Sequence, residues 1–307
     1  MRPYLAGNDE VLLDAPDESL RELASSLWVE TDRDSRSATG LSLSIAVTFA
    51  DVSTDPEEAL SWTVSSEETR LEAPGVRMTV RPRQRRASAT VARSLVTTRP
   101  DTVTRLLLEA PVTAMKMVRM QLLHAGAVVG PAGAAVLRGA AGAGKSTLVA
   151  ACRSAGLGFL GDESLLVDRA SPDRLEATLR DLVVTPETSR LLGLDEASIP
   201  AYSGGERKRR LPLPEPRIPS DRVAARVATV LLGPREPGPA RLEPLSGAPF
   251  LEAFAAGEIP QERLYGGEPE AIARAWDGDG TWLLLGAADL AGAVDRIRDL
   301  VHGITRR

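Results

Sequence analysis

A glycine-rich segment directly after a short apolar run constrains the fold of this chain most. The apolar run spans residues 134–137, and residues 139–146 have the sequence Gly-Ala-Ala-Gly-Ala-Gly-Lys-Ser. The three glycines let the backbone turn tightly and point successive N–H groups into the turn. The lysine and the hydroxyl that follow can meet a polyphosphate and its metal ion, which is the pattern of a P-loop. These residues therefore predict a strand, a phosphate-binding turn and a helix, in that order.

Each residue of this predicted turn has an expected role. The residues expected to bind nucleotide are Gly139, Gly142, Ala143, Gly144, Lys145, Ser146 and Thr147. Residues from Thr147 onward should form a helix whose positive N-terminal end faces the anion. We expect the Lys145 side chain to be solvated until phosphate arrives, and the Ser146 hydroxyl to bind Mg²⁺. The alternative is a chance match, which the abundance of glycine and alanine makes easier.

Two adjacent carboxylates, Asp162 and Glu163, begin 17 residues after Lys145. The apolar run 157–161 before them predicts a buried strand that ends beside the turn. A helix of about ten residues advances roughly 15 Å, so the intervening chain is long enough for one helix and a return. One carboxylate there could take a proton from an acceptor hydroxyl while the other holds Mg²⁺. The alternative is a solvated turn, because Asp and Glu are common at strand ends.

The chain has two histidines, and one of them lies 15 residues before Gly139. This residue, His124, stands inside the apolar run 122–129, which we interpret as a strand. Taken alone, a histidine in such a run is more often a core residue than a functional one. His302 lies near the C-terminus at a predicted helix end and is expected to be solvated.

In order and spacing, these elements resemble the HPr kinase/phosphorylase family, the P-loop protein kinases related to phosphoenolpyruvate carboxykinase. The matching elements are His-x-Gly-x-Val at 124–128, the turn at 139–146 and the acidic pair, and the match is firmest over residues 118–170. The resemblance implies an α/β P-loop kinase core of the HPr kinase C-terminal-domain type. It also implies that His124 lies by the phosphates, that Asp162 is the base for the acceptor, and that Glu163 helps to bind the metal.

Two features depart from that family. The chain has Asp-Glu where the family usually has Asp-Asp, a change that keeps both charges and lengthens one side chain by a methylene. No segment matches the Leu-Glu-Ile-Arg-Gly signature of the phosphorylase activity, and the nearest, residues 184–190, supplies Glu and Arg in a different frame. The sequence is therefore more similar to divergent HPr-kinase-like proteins found with peptide-modifying pathways, in which a peptide or a small molecule is phosphorylated.

Composition limits the class of protein. With 307 residues, 43% of them apolar, the chain can bury one large core or two smaller ones. A net charge of −5 gives no general attraction to nucleic acid or an anionic membrane, and no apolar run is long enough for a membrane span. The single cysteine, Cys152, excludes an internal disulfide and a Cys/His zinc cluster. We expect a cytoplasmic protein without nucleic-acid or membrane partners. The sequence leaves open whether the protein forms a homo-oligomer.

The chain is predicted to have two domains, a β-rich α+β N-terminal module over residues 1–105 and the catalytic domain over residues 106–307. Alternating apolar residues predict strands in the module, at 41–49, 77–80 and 89–92. Helical spacing predicts a helix over 102–123, interrupted by Pro111, that leads to the His124 strand. Further along, residues 227–232 are predicted to form a buried strand and residues 287–301 an amphipathic closing helix.

A basic segment follows the acidic pair at a distance. Residues 203–210 have the sequence Ser-Gly-Gly-Glu-Arg-Lys-Arg-Arg and precede a proline-rich stretch. The acidic overall charge and the lack of interleaved aromatic residues argue against a nucleic-acid patch. One interpretation is a loop that closes over the nucleotide, with Lys208 and Arg210 stabilising charge on the transferring phosphoryl group. A merely solvated loop explains the segment equally well.

Together these patterns predict Mg²⁺-dependent transfer of the γ-phosphoryl group of ATP to a hydroxyl. The expected catalytic residues are Asp162, His124 and Lys145, and the expected metal ligands are Ser146 and Glu163. The leading acceptor is a Ser or Thr of a peptide or protein. The alternatives are a small-molecule alcohol kinase and a nucleotide-gated binding module with little turnover, which would not need two carboxylates beside the γ-phosphate.

Overall fold

The computed structural model divides into two compact units, Met1–Val118 and Arg119–Arg307. The residues it describes are 2–6, 9–27, 29–30, 42–50, 52, 61–65, 67–177, 182–194, 209–211, 223–234, 236–278 and 280–304. The division falls later in the chain than the predicted 105/106 boundary. The reason is that Leu107, Leu108, Val112 and Met115 pack into the core of the first unit.

Within its described residues, the first unit contains one mixed sheet of eight strands. These are β1 (Arg2–Ala6), β2 (Asp9–Asp14), β3 (Val29–Glu30), β4 (Ser42–Phe49), β5 (Ser61–Val64), β6 (Thr69–Ala73), β7 (Val76–Arg81) and β8 (Arg86–Val91). Their order is β3-β1-β2-β4-β8-β7-β6-β5, and β4 pairs in parallel with both β2 and β8. Helix α1 (Glu18–Leu27) lies between β2 and β3 in the chain. The three predicted strands correspond to β4, β7 and β8, and the predicted β-rich character of this region is confirmed.

The helix predicted over 102–123 is shorter and interrupted. Helices α2 (Arg93–Thr98) and α3 (Pro100–Val103) lead into a π-helical segment, Thr104–Glu109, and then α4 (Ala110–Lys116). The N–H of Ala110 bonds to the carbonyl of Arg105, five residues back, and this wider turn comes just before Pro111, which has no N–H to donate. Residues 120–123 form a strand, so the predicted C-terminal end of this helix was wrong.

The second unit is an α/β unit, as predicted. Its strands are β9 (Met120–Leu123), β10 (Gly126–Gly130), β11 (Gly133–Arg138), β12 (Gly158–Gly161), β13 (Leu165–Asp168), β14 (Arg174–Ala177), β15 (Leu182–Val184), β16 (Arg209–Leu211), β17 (Val223–Leu232), β18 (Arg241–Pro244) and β19 (Thr281–Leu285). Its helices are α5 (Lys145–Ser154), α6 (Pro186–Leu191), α7 (Gly247–Ala255), α8 (Pro269–Trp276) and α9 (Leu290–Val301), with a 3-10 segment at Pro260–Gly266.

The main sheet of this unit has the order β12-β10-β11-β17-β14-β13-β9, with β19 beside β17 and β18 beside β19. Strand β11 pairs in parallel with β17 and antiparallel with β10. Among the described residues, β15 and β16 form a separate antiparallel pair. The predicted strand 227–232 is the second half of β17.

Helices cover both faces of the sheet around β11. Ala135 and Leu137 pack on one face in a core that includes α5 and α9. Ala134 and Val136 pack on the other face with aromatic residues of α7 and α8. Burial on both faces explains why β11 is a continuous apolar run rather than an alternating one. Strand β11 is therefore a central, rigid element, and the glycine-rich segment starts directly at its end.

The predicted closing helix begins slightly later than expected. Helix α9 starts at Leu290, because the Asp289 side chain accepts a hydrogen bond from the N–H of Gly292 and so caps the helix. His302 is exposed at the end of this helix, as predicted. In the part of the chain that the structure describes, no helix combines the length and the apolar character needed to cross a membrane.

Candidate active site

The glycine-rich loop, residues 139–144, joins β11 to α5 in the predicted order of strand, turn and helix. Gly142 and Gly144 have φ angles of 78° and 100°, in the left-handed region that other residues rarely adopt. Gly139 is packed tightly, since a Cβ there would lie 3.2 Å from the Cβ atoms of Ala143 and Leu232. Ala140 and Gly142 are exposed, so the tip of the loop is open to a ligand.

The Lys145 side chain is folded against this loop. Only 6% of the residue is exposed, and its Nζ donates hydrogen bonds to the carbonyls of Gly139 (2.8 Å) and Ala140 (3.2 Å). The expectation of a solvated side chain was therefore wrong, because the loop offers carbonyl acceptors that turn the ammonium inward. Burial lowers the pKa of Lys145, an effect that the Asp162 carboxylate opposes.

Asp162 follows β12 directly and is buried, with 2% of the residue exposed. Burial raises its pKa to about 6, and the nearby Glu163 carboxylate adds to the rise. The Ser146 hydroxyl favours the charged form of Asp162, but neither carboxylate oxygen has a partner at hydrogen-bonding geometry among the described residues. Strand β10 approaches closely here, since a Cβ on Gly126 would lie 3.3 Å from Asp162 Oδ1. A buried carboxylate that is not hydrogen-bonded is unusual and points to a functional role.

Glu163 turns the chain sharply after β12. Its φ of 65° places a residue other than glycine in the left-handed region, and the N–H of Ser164 bonds to the carbonyl of Asp162 at 2.8 Å. Such strained backbone conformations concentrate at active sites and ligand-binding turns. The predicted position of the acidic pair at a strand end is confirmed.

The sequence pattern had predicted that His124 lies within a strand. In the structure it lies between two strands. Strand β9 ends at Leu123 and pairs with β13, whereas β10 begins at Gly126 and pairs with β11 and β12. The chain thus passes from one part of the sheet to another at His124. This break frees the histidine from strand pairing and brings it to the acidic pair.

The ring of His124 has a defined tautomer. Its Nδ1 lies 2.8 Å from the carbonyl oxygen of Glu163. Because a carbonyl only accepts hydrogen bonds, we assign the proton to Nδ1, which leaves Nε2 unprotonated in the neutral ring. Burial, together with the positive charge of Lys145, lowers the pKa of His124, so the neutral ring prevails at pH 7.

The sequence did not reveal two further residues beside this site, Arg138 and Glu262. Arg138 is the last residue of β11, and Glu262 lies in the 3-10 segment. Their side chains form an ion pair with Nη1–Oε1 at 2.9 Å, and both are fully buried. The arginine at the end of an apolar run was the available signal, whereas nothing around Glu262 in the sequence marks it as buried.

Thr147 contacts another element and not only the loop. Its hydroxyl lies 2.8 Å from that of Thr188 in α6, and Thr185 caps the same helix. Leu182 and Val184 of β15 share the core that contains α5. These contacts tie the first turn of α5 to the chain segment that precedes the basic residues.

The basic segment is only partly described. Residues 201–208 lie outside the described residues, Lys208 among them. Arg210 lies in β16, where it is opposite Val183 of β15. Whether these two residues reach a phosphoryl group therefore stays a prediction.

The structure brings Lys145, Ser146, Asp162, Glu163 and His124 together at the end of β11. Among the described residues, no group of three or more His, Cys, Asp or Glu side chains forms a metal site. Mg²⁺ in phosphoryl-transfer sites usually needs only one or two protein oxygens, because phosphates and water supply the rest. The Ser146 hydroxyl and one carboxylate of the acidic pair would meet that requirement.

Neither protein families nor curated sequences offer a guide to this arrangement. No model of a protein family matches the chain, and no curated protein is significantly similar to it in sequence. The function must therefore be inferred from the residues of the site and from their geometry.

Proposed function

We propose that this protein is a cytoplasmic kinase that uses ATP and Mg²⁺ to phosphorylate a hydroxyl, with Ser or Thr of a peptide or protein as the acceptor. The observation that supports this most is the buried Asp162 carboxylate, which lies next to Ser146 at the start of α5. A general base works best when its pKa is near the pH of the reaction, and a pKa of about 6 suits that role. The resemblance to the HPr kinase family is part of this proposal.

The residues of the site divide the chemistry among them. The N–H groups of the glycine-rich loop and the N-terminal end of α5 bind the polyphosphate, and Lys145 donates to its β- and γ-phosphates. The acceptor hydroxyl loses its proton to Asp162 as its oxygen forms a bond to the γ-phosphorus. The bond between that phosphorus and the oxygen of the departing ADP breaks. Neutral His124 stays beside the acidic pair without adding charge.

Ser146 and Glu163 are the proposed ligands of Mg²⁺, which would neutralise charge on the β- and γ-phosphates. Asp162 also lies near Ser146, so the two acids could exchange roles. Their different environments favour the first assignment, since Asp162 is buried and Glu163 is only half-buried. Mg²⁺ loses its water reluctantly and usually keeps several water ligands, so a partly solvated carboxylate suits it better than a fully buried one.

Transfer of labelled γ-phosphate tests the proposal. The wild-type protein is incubated with Mg²⁺, γ-labelled ATP and a randomised library of Ser- and Thr-containing peptides, and in parallel with a panel of small polyols. Label in the peptides is the expected result. Label only in a polyol would instead establish the small-molecule kinase, and tight Mg·ATP binding without formation of ADP would establish the binding module.

Substitutions of His124 distinguish the roles of its two ring nitrogens. Asparagine places an amide N–H close to the position of Nδ1 and so can keep the hydrogen bond to the Glu163 carbonyl. Glutamine places its amide nearer the position of Nε2 and loses that bond. We expect His124→Asn to keep much more of the transfer rate than His124→Gln, and steady-state kinetics measures both. The reverse order would show that His124 acts through Nε2.

Substitution of Glu163 tests the metal site. Glu163→Gln keeps the shape of the side chain and removes its charge, so we expect the affinity for Mn²⁺ in the presence of ATP to fall by about tenfold or more. Electron paramagnetic resonance of Mn²⁺ measures this affinity. Glu243→Gln, at an exposed glutamate, is the control. If Asp162→Asn weakens Mn²⁺ binding and Glu163→Gln does not, the roles of the two acids are exchanged.

A further inference from the structure

A fully buried ion pair lies directly behind the glycine-rich loop. The two Nη atoms of Arg138 donate to the two carboxylate oxygens of Glu262, both at 2.9 Å. The Nε of Arg138 donates to the carbonyl of Phe254 at 2.8 Å, and the guanidinium lies 4.1 Å above the centre of the Phe254 ring. Arg138 is also the residue immediately before Gly139, where the loop begins. The ion pair is therefore attached to the base of the loop.

The same carboxylate holds His124. Glu262 Oε1 accepts a hydrogen bond of 2.6 Å from the backbone N–H of His124. His124 in turn donates from Nδ1 to the carbonyl of Glu163. A continuous chain of hydrogen bonds thus leads from the base of the glycine-rich loop, through Glu262 and His124, to the acidic pair.

The backbone of Glu262 is fixed as firmly as its side chain. Its carbonyl accepts a hydrogen bond of 2.7 Å from the side chain of Gln121 on β9, and the oxygen of the same Gln121 side chain accepts one from the N–H of Glu268. Gly267 packs against it so closely that a Cβ there would lie 1.8 Å from the Glu262 carbonyl oxygen. Glu262 can therefore serve as a rigid reference point.

Stability alone does not account for this ion pair. Removing two charges from water is unfavourable, and apolar residues of similar size often replace buried ion pairs without loss of stability. A pair with fixed bidentate geometry does, however, set the relative positions of the elements that it joins. Here it joins the base of the loop that would bind phosphate to the 3-10 segment, and Glu262 of that segment holds His124 beside the turn with the acids.

We propose that Glu262 is a positioning residue, which fixes His124, and through it Glu163, relative to the glycine-rich loop. This inference rests on the proposed function, because the rate that it affects is that of phosphoryl transfer. Glu262 touches none of the reacting groups, so its loss should lower kcat and leave the KM for Mg·ATP nearly unchanged. A displacement of about 1 Å in a catalytic site is enough to cost about 10²-fold in rate.

Two double variants isolate the hydrogen bond to His124 from the ion pair. Both replace Arg138 by Met, so neither leaves a buried unpaired charge. Arg138→Met with Glu262→Gln keeps an oxygen that can accept from the His124 N–H, whereas Arg138→Met with Glu262→Met does not. We expect the first to retain most of the transfer rate and the second to lose about 10²-fold in kcat. Equal kcat values in the two would overturn the proposal.

Nuclear magnetic resonance provides a readout that is independent of activity. Only two histidines are present, so the ring nitrogens of His124 can be followed directly. We expect the wild type and the Met/Gln variant to show a protonated Nδ1 and a strongly deshielded His124 amide proton, and the Met/Met variant to lose both signals. Unchanged signals in the Met/Met variant would contradict the positioning role, whether or not the wild type transfers phosphate. Absence of transfer by the wild type would refute only the proposed function.

Glu262→Asp covers the case in which a double variant does not fold. Aspartate keeps the charge opposite Arg138 but shortens the side chain by a methylene, so the bond to His124 should lengthen or break. We expect kcat to fall with little change in the KM for Mg·ATP. A fall in kcat with a similar rise in the KM for Mg·ATP, or no change in either constant, would count against a positioning role.

Discussion

Asp162→Asn is expected to inactivate the protein and at the same time to stabilise it. General-base assistance is typically worth about 10²–10⁴-fold in rate, so the loss of phosphoryl transfer should be large. The gain in stability has a separate cause. Burial raises the pKa of Asp162 from 3.8 to about 6, so at pH 7 the folded protein holds a charge that would be better solvated in the unfolded chain. Such a difference corresponds to about 3 kcal/mol, and the unmet hydrogen bonds of a buried amide reduce the expected gain to at most about 2 kcal/mol.

The pH dependence of the free energy of unfolding identifies the contribution of the buried Asp162 carboxylate. Well below pH 3.8, Asp162 is protonated in both the folded and the unfolded state and does not affect the free energy of unfolding. As the pH rises from about 4 to 6, the unfolded state releases the proton first, so the free energy of unfolding of the wild type falls. The Ser146 hydroxyl, the backbone N–H of Glu163 and the charge of Lys145 lower the pKa of Asp162 and so oppose this effect, whereas the Glu163 carboxylate enhances it. Asp162→Asn should abolish this part of the pH dependence, because asparagine does not titrate.

Urea denaturation at pH 4, 6 and 7.5, with divalent metal chelated, measures this difference. Asp295→Asn is the matched control, since that carboxylate is 68% exposed and lies on α9. The control should keep both the wild-type transfer rate and the wild-type pH profile. If Asp162→Asn is destabilised at pH 7.5 and keeps its activity, the carboxylate is a structural residue and not a base.

Lys145→Met is expected to abolish most of the phosphoryl transfer while the fold persists. Loss of a single positioned donor to a developing charge typically costs about 10²–10³-fold in rate. The fold should tolerate the change, because the ammonium is buried and methionine fills a similar volume without the cost of removing a charge from water. The carbonyls of Gly139 and Ala140 lose a donor, but Ala140 is exposed and can bond to water.

Arg153→Met is the control for this substitution, because it removes a cation from the last turn of the same helix. Thermal unfolding and transfer kinetics are measured on both variants. Lys145→Met should lose rate and keep its unfolding temperature, whereas Arg153→Met should keep its rate. Normal turnover in Lys145→Met would show that the glycine-rich loop does not bind the transferring phosphate.

The sequence predicted the centre of the fold well, for a local reason. Strand β11, the glycine-rich loop and α5 follow one another without interruption, so apolar run, glycine spacing and helix start are all encoded within a few residues. The strand before Asp162 and the turn at Glu163 are local in the same sense.

Errors arose where tertiary contacts decide the structure. Residues 120–123 continue a helical spacing, yet they form β9 because β13 offers a partner strand. The run 122–129 has no local signal for the break at His124, which follows from pairing with two different sets of strands. Local pattern reports which residues are apolar but not which neighbours they meet.

The site was only partly predictable for the same reason. Spacing placed Lys145 and the acidic pair near each other, but the inward position of the Lys145 side chain depends on the carbonyls that the loop presents. Glu262 lies 138 residues from the His124 N–H that it binds. No pattern in one sequence links two positions so far apart, so the structure was needed to find it.

Isothermal titration with ATP and AMP tests most directly whether the glycine-rich loop and the acidic pair form a Mg·ATP site. A site that reads the β- and γ-phosphates should bind Mg·ATP at least about tenfold more tightly than AMP, and removal of Mg²⁺ should weaken the binding of ATP. Equal affinity for ATP and AMP, or no binding of either, would contradict the account.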